Sequence, residues 1–150
     1  MKVSLFKHSI HGLISGLILL IPVFPIFTLM PIFGLAWVLG ECLSDCVIGY
    51  QIVYLLSPIL AIIVDFLYFR KAIRKNMTEK NGFGLSFCFN LLLYSLVNAF
   101  VFVAFVGTQT ACYGDGQVIL GVIYSAPISS IVIILNGLII DLVKLWNEKE

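Results

Sequence analysis

RKAIRKNMTEK, residues 70–80, is the one long polar run lying between two extended apolar tracts. It carries Arg70, Lys71, Arg74, Lys75 and Lys80 against the single acid Glu79. Apolar sequence on both sides makes it a connector between two membrane hairpins. Lys and Arg resist transfer across a bilayer and collect on the cytoplasmic side, so the connector is expected to face inward.

The bulk composition supports this class. The 150 residues are 61% hydrophobic and 11% charged, with a mean hydropathy of +1.08. Soluble domains run near 45–50% apolar and about 25% charged. A soluble chain of this length could not cover so much apolar side chain. The net charge of +1 gives no electrostatic case for nucleic acid. The length suits one domain, residues 1–150.

Working outward, a crossing helix needs about 20 residues at 1.5 Å each. The basic start with Lys2, Lys7 and His8 leads into an apolar stretch from Ser9 to Gly40, interrupted by Pro22, Pro25 and Pro31. The expected first span is 10–30, followed by an interfacial segment from Pro31 to Gly40 carrying Trp37. The apolar run is too long for a signal peptide, and no small-x-small site ends it. A polar corner, ECLSDC at 41–46, precedes a second span at 47–69. The third span is expected at 83–106, the polar loop GTQTACYGDGQ at 107–117, and the fourth span at 118–142.

The expected fold is therefore all-α, an integral membrane four-helix bundle of two hairpins. On this layout all nine Lys and Arg fall on one side, and Glu41, Asp45 and Asp115 fall on the other. Both termini are then cytoplasmic. Trp37, Tyr50 and Tyr113 would form one aromatic belt, with Tyr68 and Trp146 in the other. The sequon Asn76-Met77-Thr78 would face inward, unused. An offset of 70 residues pairs Gly12 with Gly82, Cys42 with Cys112 and Tyr54 with Tyr124, which raises the question of an internal repeat.

Several residues stand out within this frame. Cys42, Cys46 and Cys112 share the outer loops, where an oxidising compartment would pair two of them. Metal is not expected: zinc wants four ligands, and both histidines, His8 and His11, lie at the opposite end. Ser86, Asn90, Tyr94 and Asn98 recur every four residues along the third span, a stripe suited to a neighbouring helix or a docked partner. Gly12 and Gly16 form a GxxxG, and Gly121, Ser125 and Ser129 repeat alike, which suits close helix approach. Asp65 and Asp141 are the candidate intramembrane charges. Both lie near a span end, where they could snorkel as anchors, Asp65 helped by Arg70 and Lys71 and Asp141 by Lys144 at i+3. Pro22, Pro58 and Pro127 would each kink a span.

Four spans, inward ends and cysteines in both outer loops resemble the layout of the disulfide-bond-forming protein B family. That family carries C-x-x-C in its first loop and two cysteines in its second. Here Cys42 and Cys46 are spaced C-x-x-x-C, and Cys112 stands alone. The resemblance implies quinone-linked thiol–disulfide exchange through these three cysteines.

Three classes of function follow as expectations. The first is a non-enzymatic protein that binds another membrane protein, or itself, in or at the bilayer, as accessory subunits and immunity proteins do. The second is a small transporter or channel subunit, and the third is the thiol oxidoreductase. P-loop and HExxH motifs are absent and no cofactor is implied. The short loops and one-sided charge fit a bacterial inner membrane.

Overall fold

The computed structural model describes residues 6–21, 23–74, 82–114 and 117–147. Pro22, the sequon at 76–78, Lys75, Lys80 and Asp115 lie outside the described residues. Among the described residues the regular structure is all helical: α1 (Lys7–Leu19), α2 (Val23–Leu43), α3 (Cys46–Arg74), α4 (Gly82–Val106), α5 (Thr108–Tyr113) and α6 (Gln117–Asn147). Among the described residues, four helices are long and apolar enough to cross a membrane, at Val23–Leu43, Cys46–Ala72, Phe83–Val106 and Val118–Trp146.

The first span differs from the sequence expectation. In place of one helix over 10–30 there are two, α1 and α2, and the segment 31–40 continues α2 as helix. Pro25 supplies the reason. It has no N–H, and its ring would collide with the carbonyl of residue 21 if the helix ran through. In the first turn of a new helix neither matters, because that amide has no intrahelical partner anyway. The helix therefore stops at Leu19, with Leu20 and Ile21 in a turn, Ile21 N bonded to Ile18 O and Phe24 N to Ile21 O. Pro31, deeper in α2, is carried inside the helix.

The other joints follow local rules. Ser44 takes a left-handed φ of 57°. Asp45 N bonds back to Gly40 O at 3.0 Å and Ser44 N to Glu41 O at 3.4 Å, which is the Schellman closure of a helix C-terminus. Asp45 Oδ1 then accepts from Val47 N at 2.8 Å, capping α3. Gly107 and Gly114 bracket α5 with φ of 82° and 69°, angles that a residue with a Cβ adopts at a cost.

Helix α4 is the hub, touching every other helix. Phe102, Val103 and Val106 pack with Leu29 and Ala36 of α2 and Tyr50 and Val53 of α3. Towards the other end Leu93 and Tyr94 meet Leu19, Ala61 and Ile133. Tyr50 and Tyr68 are only 8% and 2% exposed, so both belong to the core and not to an interfacial belt. Trp37, Tyr113 and Trp146 are exposed.

Helix α1 lies antiparallel against α6. Gly12 meets Ile133 and Gly137, while Gly16 meets Ser130 and Ile134. A Cβ built on Gly137 would stand 2.5 Å from the His8 carbonyl oxygen. Backbone that close leaves no room for a side chain. The two halves of the chain pack differently: Cys112 is bonded to Cys46 while Cys42 is free, and Tyr54 is half-buried while Tyr124 is exposed.

Gly137→Val is expected to destabilise the bundle by roughly 1–3 kcal/mol through overpacking. Gly34→Ala, with nothing within 4 Å of the added carbon, is expected to change little. Thermal unfolding of both variants in the same detergent checks the contrast.

Candidate functional site

The polar stripe of α4 is wholly interior. Ser86, Asn90, Tyr94 and Asn98 are each 0–2% exposed. Because they recur every four residues they climb one side of α4, and each meets a different piece of backbone or side chain. Ser86 Oγ lies 2.6 Å from the Tyr68 hydroxyl of α3. Asn90 Nδ2 donates to Ser15 Oγ of α1 at 3.1 Å. Tyr94 donates to the Leu19 carbonyl at 3.1 Å. Asn98 Nδ2 points at Pro25 O and Thr28 Oγ1 at 3.5 and 3.4 Å.

The last two partners lie on either side of the break between α1 and α2. Leu19 ends α1, so its carbonyl has lost the amide that a continuing helix would offer. In an apolar surround such a group needs a side-chain partner. The stripe supplies it. Asn98 Oδ1 and Ser130 Oγ remain buried without a partner.

A second polar knot closes one end. Asp141, 1% exposed, accepts from His8 N at 3.3 Å and from both N and Oγ of Ser9 at 2.6 Å. These amides belong to the first turn of α1, whose own flanking residue provides no side-chain cap. A carboxylate there satisfies free N–H groups and faces the positive end of the helix dipole. Asp141 is thus held inside the bundle as a cap on another helix and does not snorkel to the surface.

Lys144 Nζ lies 2.9 Å from His8 Nε2. An ammonium has only hydrogens to offer, so Nε2 accepts and the ring proton sits on Nδ1. His8 Nδ1 then donates to the Tyr68 hydroxyl at 3.3 Å, and Tyr68 donates to Ser86. One directed chain, Lys144–His8–Tyr68–Ser86, thus ties α6, α1, α3 and α4. Burial first, then the Lys144 charge, pull the His8 pKa from 6.5 down to about 4, with Asp141 opposing. That matches a neutral ring acting as acceptor on one side and donor on the other.

Asp65 is handled differently. Its Oδ1 is buried with no partner. The expected helpers point elsewhere: the Arg70 guanidinium sits 5.6 Å over the Phe66 ring and Lys71 Nζ lies 5.7 Å over Phe89.

At the opposite end Cys46 and Cys112 form a disulfide with an S–S distance of 2.05 Å, joining the start of α3 to α5. Cys42 and Cys88 are free and exposed. Beside the stripe, α2, α3 and α4 enclose a cleft of about 770 Å³. Its walls, among them Phe24, Phe27, Leu60, Val64 and Leu92, are apolar apart from Thr28 and Ser95. The sequence marked the stripe, the cysteines and both acids. It did not mark His8, Ser9, Ser15, Tyr68 or Thr28 as their partners, because these contacts join residues 18 to 133 positions apart.

Tyr94→Phe strands the Leu19 carbonyl and is expected to cost roughly 1–3 kcal/mol of stability, measured by thermal unfolding. The His8 ring is expected to make stability depend on pH. Its folded pKa lies below its unfolded one, so the stabilisation is complete above pH 6.5 and declines as pH falls towards 4. His8→Gln is expected to flatten that slope. Thiol labelling of the unreduced, denatured chain is expected to modify Cys42 and Cys88 alone.

No family model, no curated protein and no solved structure matches this chain, so its role has to be read from its own geometry.

Proposed function

We propose that the protein is a four-crossing membrane protein that acts, without catalysis of its own, by binding another protein in or at the bilayer. In this reading α1 and α2 make one discontinuous crossing, with its apolar part starting near residue 10, and α3, α4 and α6 make the other three. The crossings pair as two hairpins. Lys7, His8, Arg70, Lys71 and Lys144 gather at one end, and Glu41 and Asp45 at the other. The positive-inside rule would put the first end, both termini and the 70–80 connector in the cytoplasm. A bacterial inner membrane suits the short loops and this charge bias.

The observation that carries the binding role is the contrast between interior and exterior. The stripe, Asp141 and the His8 chain are consumed in holding helices together. What the molecule offers outward is apolar surface, indented by the cleft between α2, α3 and α4. Helices associate in lipid through packing of shape rather than through a hydrophobic drive. A cleft walled by three helices gives a partner helix or apolar segment such a shape to fill.

Site-specific photo-crosslinking in native membranes tests this. A photoreactive residue at Phe27 or Leu92, on the cleft wall, is expected to give a discrete protein adduct. The same residue at Ile131, exposed on α6, is expected to give none. Adducts of equal yield at all three positions, or lipid adducts alone, would count against the binding role. A reporter fused after Glu150 is expected to be active only in the cytoplasm.

A further inference from the structure

Among the buried polar atoms without a partner, which include Asn98 Oδ1, Ser130 Oγ and His11 Nδ1, two come from side chains that face one another. Oδ1 of Asp65 on α3 and Nδ2 of Asn136 on α6 are both shut away from the surface, and neither has a hydrogen-bond partner. Asn136 is 9% exposed. The two side chains lie near enough to act on one another across the α3–α6 contact, but Oδ1 and Nδ2 themselves make no hydrogen bond.

A lone carboxylate at this depth is expensive. Among the described residues the side chain that acts on Asp65 is Asn136, and no charged group does so. Arg70 and Lys71 lie over aromatic rings. Tyr68, one turn along α3, is the titratable neighbour on which Asp65 acts. His8, Lys144 and Asp141 form the next layer beyond it.

We propose that Asp65 and Asn136 form a binding site for one small monovalent cation, a proton or a sodium-sized ion, inside the bundle. A proton from water would complete both groups at once. The acid O–H would donate to the amide oxygen while the amide N–H donates to the acid carbonyl; the one covalent bond formed is the Asp65 O–H, and the one broken is an O–H of hydronium, which leaves as water. A metal cation would use the Asp65 carboxylate together with the amide oxygen, which a half-turn of the carboxamide presents. Oxygen and nitrogen of that group are interchangeable in shape. The Lys144–His8–Tyr68–Ser86 chain lies between this pair and the basic end of the bundle, which gives an exchanging cation polar neighbours on that side. The site goes beyond the partner-binding reading and does not rest on it.

The test uses the full chain in lipid nanodiscs and a hydrophobic carbodiimide, which attacks protonated carboxyls. Peptide mapping then compares Asp65 with exposed Asp45 and capped Asp141. Asp65 is expected to react about tenfold or more faster than either. If the cation is a proton, the rate falls as pH rises and is indifferent to sodium. If it is a metal ion, added sodium suppresses the rate at fixed pH and choline does not. Asn136→Leu is expected to shift the pH or sodium midpoint at least about threefold in concentration. Asp65→Asn, which copies the neutral acid, is expected to keep the melting temperature of the native chain. The proposal is overturned if Asp65 reacts no faster than Asp45 at every pH and sodium level. It is equally overturned if Asp65→Asn melts as low as Asp141→Asn, because the ionised carboxylate would then be a structural partner.

Discussion

A helix that stops inside an apolar bundle leaves a carbonyl with no water to turn to, and the interior of this protein is arranged around that debt. The break before Pro25 falls where α1, α2 and α4 meet. Tyr94 and Asn98 answer it from α4, while Asn90 and Ser86 extend the same side of α4 to α1 and α3. The four residues act as one device because helical spacing of four keeps them on a single side of α4. Helix α4 therefore occupies the centre, and the apolar clusters grow outward from it above and below the break.

Short α1 is held by two further means. Its glycines let it approach α6 to backbone contact, and its free amides are capped by Asp141 of the same helix. A 13-residue helix is marginal by itself. Here packing and a charged cap from α6 act on the same few residues. At the far end the Cys46–Cys112 bond fixes α3 to the short α5, where the glycine-bounded turn brings little core of its own. No residue of α5 is buried, so the covalent link stands in for packing.

Much of this was legible in the residues. Apolar length marked the last three long helices almost to their ends, because a span is a local property of about 20 consecutive side chains. The stripe and the glycine pair were legible for the same reason, since both are periodicities. The helix break after Leu19 was not legible, because three prolines within ten residues allow more than one place to break. Which one yields depends on whether the freed carbonyl finds a donor, and that donor is Tyr94, 75 positions away.

By itself, then, the sequence determined the solvent: this chain must be helical and buried in apolar surroundings, whatever its partners. It also determined which side chains would be anomalous there. Tertiary structure alone decided what each anomaly is for. Asp141 and Asp65 are the same residue type, each in the C-terminal third of a long helix. One meets the free amides of α1 and becomes a cap. The other lies beside the Asn136 side chain and keeps a buried oxygen without a partner. Nothing local separates them, because the interaction energy of a buried charge is set by what other segments of the chain bring within a few ångströms.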